Sequence, residues 1–154
     1  MVMKAFRFPL QAVLTIRLNQ ESKAQEAFVR AQTELQQLTA RQREIRQAIE
    51  EAQGLRRDIL KKSANCGNIQ RLQQGLTALH GRMRQCEAEL QKAQAVLDAK
   101  SRDLLEARQK REIVEKLYEK QFAQYQAAAT RAEQKVLDDL ATLKSIGSFA
   151  LKWK

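Results

Sequence analysis

The chain has 154 residues and a net charge of +10, and it combines 20 Gln, 22 Ala and 19 Leu with only five Gly, one Pro, five Phe, two Tyr and one Trp. Ala, Leu, Gln, Glu, Lys and Arg enter helices at little cost, whereas few turn residues leave few places to reverse and few aromatics leave little to fill a thick core. An ordinary layered domain is excluded. The composition predicts an all-α fold, a long antiparallel two-helix coiled-coil hairpin with an overhanging C-terminal helix.

Residues 1–8 form an N-terminal lead-in. The stretch Met1 to Arg17 lacks the uninterrupted apolar run and small-residue cleavage site of a secretory signal. Nowhere do 18 or more apolar residues follow one another, so no transmembrane segment is expected and membrane contact would be peripheral. Pro9 suits a first helical turn, where its missing N–H would be unpaired anyway, and the first coiled-coil helix is expected over 9–62. Steps of seven connect Leu10, Arg17, Ala24, Ala31, Leu38, Ile45, Ala52 and Ile59, and a second track connects Leu14, Glu21, Phe28, Leu35, Gln42, Ile49 and Arg56. Together they make one narrow stripe. On a helix about 75 Å long such a stripe cannot be buried against itself and must meet a partner helix.

The cluster SANCGN, residues 63–68, is the predicted turn. Asn65 or Gly67 can take a left-handed conformation there, and Asn68 can cap the next helix. The second helix is expected over 69–146, with Leu72, Leu79, Cys86, Ala93, Lys100, Ala107 and Val114 on one track. The other carries Leu76, Met83, Leu90, Leu97, Leu104, Arg111, Tyr118 and Tyr125. Gly75 and Gly81 each cost about 1 kcal/mol in a helix interior and could bend its start; a helix beginning only near Arg84 is the alternative. After Tyr125 the large residues shift to Val136, Leu140 and Leu143, a displacement resembling a stutter. Gly147 and Ser148 signal the helix end, leaving 147–154 as a tail.

With Asn65 at the apex, Leu10 falls opposite roughly residue 120, and the helix beyond overhangs. Tyr125, Val136, Leu140 and Leu143 then lack a partner within the hairpin. Such a surface calls for burial in another subunit or a binding cavity, the alternative being a partly disordered C-terminal helix.

Catalytic chemistry finds little footing. Cys66 and Cys86, with only His80 between them, are too few for a closed zinc site and read as free thiols, Cys86 being a small hydrophobe on an apolar track. His80 has no nucleophile pattern beside it, and no Gly-rich phosphate loop occurs. No catalytic residue, cofactor or metal is expected. The charge, by contrast, is localised: between Gly54 and Arg84, Arg56, Arg57, Lys61, Lys62, Arg71, Arg82 and Arg84 face only Asp58, which places +6 of the net +10 in that segment. This basic hairpin tip is a candidate docking surface for an acidic protein or other anion, with solubility and nucleic-acid binding as the other readings. Missing aromatics weaken a single-strand binder, and no nucleic-acid partner is expected.

The run FRFPLQAVLTIRLNQESKAQ, Phe6 to Gln25, resembles the opening of the FliJ family of flagellar protein export, with its aromatic-x-aromatic-Pro-Leu-x-x-Val-Leu pattern. The later stretch Glu106 to Ala141 is similar to that family's C-terminal signature through Glu115, Lys116, Leu117, Glu119 and Lys120, then Tyr125, Glu133, Gln134, Leu137 and Asp138. Stalk proteins of non-flagellar type III secretion share the pattern. The resemblance implies a non-catalytic cytoplasmic stalk, at the cytoplasmic face of the inner membrane within the export apparatus. Its implied partners are a hexameric export ATPase, an export gate protein and export chaperones. Phe6, Phe8, Leu10, Tyr125, Val136, Leu140 and Leu143 become the ATPase-ring contact candidates. Arg41, Ile45, Leu72 and Leu79 take the tentative gate or chaperone surface, where some members carry aromatics. A general coiled-coil adaptor that self-associates through the overhang is the alternative.

Overall fold

The computed structural model describes residues 5–62 and 65–150, the last five as backbone only. They form two helices, α1 (Gln11–Lys61) and α2 (Cys66–Ala150), and no strand occurs among the described residues. The chain divides into two compact units, Gln20–Ala107 and Met1–Asn19 with Arg108–Lys154.

The start of α1 is set by a turn. Phe8 C=O accepts the Gln11 N–H at 3.2 Å, and Leu10 C=O accepts the Leu14 N–H at 3.0 Å. Pro9 thus sits at the second position of a Phe8 to Gln11 turn, where its fixed φ is accommodated, and the helix begins at Gln11 rather than at Pro9. Within α1 the hydroxyls of Thr15, Thr33 and Thr39 donate to carbonyls four residues back, so these weak helix formers keep their polar atoms satisfied.

The reversal differs from the expected 63–68 turn. Asn65 Oδ1 accepts the Gly67 N–H at 3.2 Å, while Asn65 C=O accepts from Asn68 at 3.0 Å and from Ile69 at 3.4 Å. Asn65 is therefore the N-cap, and α2 begins at Cys66 instead of residue 69. An earlier Asn satisfies the first free N–H groups, which closes the first turn sooner and leaves Asn68 inside it. Gly67 is helical and takes no left-handed conformation. Residues 63 and 64 of the expected turn lie outside the described residues.

In the Gln20–Ala107 unit, stretches of α1 and α2 run antiparallel. Arg56 meets Gln73, Arg41 meets Glu89 and the Cys86 thiol meets the Leu38 carbonyl, so partners on α2 advance as those on α1 recede. Both heptad tracks turn inward. Ile45, Ile49, Leu76 and Cys86 form the core cluster, with Ala52, Leu79, Met83 and Leu90 packed against it. Ala31, Ala93 and Leu104 are buried on the same tracks. Cys86 Sγ lies 3.6 Å from Leu38 C=O as donor, and both cysteines are free. Helix α2 runs through Gly75 and Gly81 without interruption, which removes the later start near Arg84. Leu76, only 3% exposed, together with the half-buried Leu79 and Met83, anchors this stretch across the glycines.

In the Met1–Asn19 and Arg108–Lys154 unit, Val13, Leu14, Arg17, Arg111, Val114 and Tyr118 are half-buried along the continued tracks. Arg111 occupies an apolar-track position and pairs with Glu115, with Glu112 at 4.0 Å, which offsets the burial of its charge. At its far end α2 continues through Gly147 and Ser148 to Ala150, beyond the expected end at 146. No proline follows to remove an i→i−4 bond, and one Gly costs only about 1 kcal/mol. Residues 151–154 of the expected tail lie outside the described residues.

Buried side chains are few, so each carries a large share of the stability. Leu76→Ala should cost about 3 kcal/mol. Gly75→Ala, whose added Cβ would meet nothing within 4 Å, should gain up to about 1 kcal/mol. Urea unfolding followed by circular dichroism at the helix band measures both.

Candidate functional site

The lead-in is not an open surface. Phe6 packs its ring against Tyr118, Phe122 and Tyr125 at centroid distances of 5.6, 5.3 and 5.4 Å. Phe8 meets Tyr118 edge-on at 5.2 Å, and Tyr118 stacks on Phe122 at 6.0 Å. Phe8 is buried, and Phe6, Leu10 and Tyr125 are half-buried. This corrects the expectation that Tyr125 lacks a partner within the hairpin, and it commits Phe6 and Phe8 to internal packing. The physical reason is the conformation of the lead-in. Residues 5–8 are not helical, and non-helical chain advances up to about 3.3 Å per residue against 1.5 Å in a helix. Phe6 therefore reaches farther along α2 than a helical count from Leu10 allows. Phe122 was not singled out because it lies off both tracks; its spacing of four from Tyr118 was the available signal.

The unpartnered part of α2 begins later. Ala129 is half-buried, and every residue from Thr130 to Ser145 is exposed. Val136, Leu140 and Leu143 are each more than half exposed, as is Leu137, which sequence spacing did not select as a contact. Leu137, Leu140, Ala141, Leu143 and Lys144 outline a shallow apolar recess. Arg131, Lys135 and Lys144 balance Glu133, Asp138 and Asp139 along this stretch, so its distinguishing chemistry is apolar rather than charged.

All seven basic-tip residues, Arg56, Arg57, Lys61, Lys62, Arg71, Arg82 and Arg84, are exposed. Arg56 Nη1 donates to Gln73 Oε1 at 3.2 Å, and Arg57 Nε donates to Gln53 C=O at 3.5 Å. None of the seven forms an ion pair among the described residues. Leu55 and Leu60, absent from the sequence-based candidates, are more than half exposed beside these charges.

The tentative gate or chaperone surface does not hold together as a surface. Ile45 is core, and Leu79 packs against that core, because both occupy heptad tracks. Leu72 is half-buried; Arg41 is exposed and pairs with Glu89 at 3.7 Å. Among the described residues, no group of three or more His, Cys, Asp or Glu side chains is placed to hold a metal ion. No described helix is long and apolar enough to cross a membrane.

Paired heptad helices, with surplus apolar surface on one of them, define a helical hairpin of the coiled-coil interaction class. The family model described as flagellar FliJ protein matches residues 6–148, and the chain belongs to that family. Membership makes it a type III export stalk protein, in a family whose role is non-catalytic. Comparison with curated proteins returns no match. A solved structure from Chlamydia trachomatis, CT670, described as a candidate YscO homologue, is similar at 17% identity and a TM-score of 0.43. The alignment covers 97% of this chain and 99% of that one.

The aromatic cluster generates its own expectation. Phe8→Ala should cost about 3 kcal/mol and collapse the near-ultraviolet circular dichroism of the tyrosines, whereas Val136→Ala should change stability by less than about 0.5 kcal/mol. Thermal melts and near-ultraviolet spectra of the two variants separate packed from open positions.

Proposed function

We propose that the chain is the stalk that enters a hexameric export ATPase ring, promotes ring assembly or turnover, and links the ring to an export gate protein and export chaperones. It works at the cytoplasmic face of the inner membrane and itself has no catalytic role. The observation that carries this reading is the exposed apolar surface of α2 from Thr130 to Ser145. Burial of Val136, Leu137, Leu140 and Leu143 in a ring would contribute about 1.5 kcal/mol or more per side chain, enough to order a complex. Activation would arise because this surface fits one arrangement of ring subunits better than another, so its binding shifts the ring toward that arrangement.

Internal packing of Phe6, Phe8 and Tyr125 assigns these residues a supporting part, holding the lead-in against α2. Direct ring contact then falls on Val136, Leu140 and Leu143. Arg41 and Leu72 are the members of the gate or chaperone set with side-chain surface left to contribute.

Val136→Ser with Leu140→Ser should weaken binding to the cognate export ATPase by roughly 100-fold while leaving helix content unchanged. Because the local charges balance, the wild-type affinity should change little with salt. Titration of the ATPase with chain, read as turnover and as ring size by sedimentation, tests both points. No binding and no change in rate or assembly would sink the proposal, and a salt-resistant homodimer without ATPase affinity would assign the segment to self-association.

A further inference from the structure

The reversal between α1 and α2 carries two Leu-basic-basic triplets, Leu55-Arg56-Arg57 and Leu60-Lys61-Lys62. Both leucines are more than half exposed and all four cations are exposed, none in an ion pair among the described residues. Elsewhere in the same unit, exposed cations do find carboxylates, as in Arg30 with Glu26, Arg41 with Glu89 and Lys100 with Asp103. Solubility explains charge but not leucines left open among it.

We propose that this reversal is a docking surface for an anionic lipid bilayer. A bilayer supplies what both kinds of side chain lack. Its anionic headgroups neutralise Arg56, Arg57, Lys61 and Lys62, while the boundary with the acyl chains accepts Leu55 and Leu60. Lys and Arg can keep their heads at the headgroup level while their stems follow the leucines inward. A nucleic acid would leave the leucines unused, and Leu55 to Lys62 contains no aromatic to stack on a base. An acidic protein would meet the charges, but it would need fixed counter-charges and pockets matched to this surface. Here the cations are long side chains whose hydrogen bonds reach only Gln73 and the carbonyl of Gln53. A fluid leaflet can rearrange its anions around such groups. The absence of a spanning helix fits a surface-bound mode. The inference rests on this unit alone and stands whether or not residues 130–145 enter an ATPase ring.

The test is flotation of the full chain with phosphatidylcholine vesicles containing about one-third phosphatidylglycerol, alongside pure phosphatidylcholine vesicles, at about 0.15 M salt. Binding is expected only to the anionic vesicles and should fall as salt rises. Each basic side chain near such a surface raises partitioning about five-fold, so R56Q/R57Q/K61Q/K62Q should lose about 100-fold or more. A matched control, K110Q/K116Q/K120Q/K135Q, should lose less than about ten-fold, and L55S/L60S should weaken binding without removing its salt dependence. Circular dichroism of every variant confirms that the helices persist. The proposal is overturned by no binding to anionic vesicles, by equal loss in the control, or by retention on polyglutamate with none on vesicles.

Discussion

Every other property of this chain depends on the mutual burial of two narrow apolar stripes. A helix with one stripe has nowhere to hide it except against another stripe, and the Gln20–Ala107 unit satisfies both by running them antiparallel. The seam is thin, dominated by Ile45, Ile49, Leu76 and Cys86, with Ala31 and Ala93 where the helices approach closely. Small residues contribute little transfer energy, so stability is spread along the length rather than concentrated in a centre. Nearly all remaining side-chain surface is left for contacts with other molecules.

The second unit applies the same rule with different material. Helix α1 begins only at Gln11, and beyond its start the seam on α2 is covered by the lead-in, whose Phe6 and Phe8 substitute large rings for helical packing. Aromatic rings suit that role because two χ angles hold a large buried area. Once the lead-in ends, α2 has no local partner, and its exposed leucines mark where intramolecular burial stops.

Heptad spacing made the seam legible. Residues at steps of seven from Leu10, Leu14, Leu72 and Leu76 become buried or half-buried with few departures, Arg56 being one, because periodicity reports directly on which face is apolar. Local hydrogen bonding was less legible: two asparagines competed to cap α2, and nothing in their identity decided between Asn65 and Asn68. Ile45 was mistaken for contact surface because correspondence with a family position says nothing about inward orientation, although its own track placed it in the core. Leu55 and Leu60 escaped notice because periodicity identifies paired leucines and gives no signal for those left outside the stripe.

The free stretch of α2 has a consequence for the kinetics and cost of association. Starting a helix in water is unfavourable by a factor of roughly 10⁻³, and an isolated segment as short as residues 130–145 would be marginal. Here the preceding turns are already fixed by the aromatic cluster, so the segment grows from an existing nucleus and needs only propagation. Its backbone should therefore fray from Ala150 inward rather than melt as a unit. A partner that closes over Leu140 and Leu143 meets a helix already in register, and loses less of its contact energy to ordering than it would with an unanchored peptide of the same sequence.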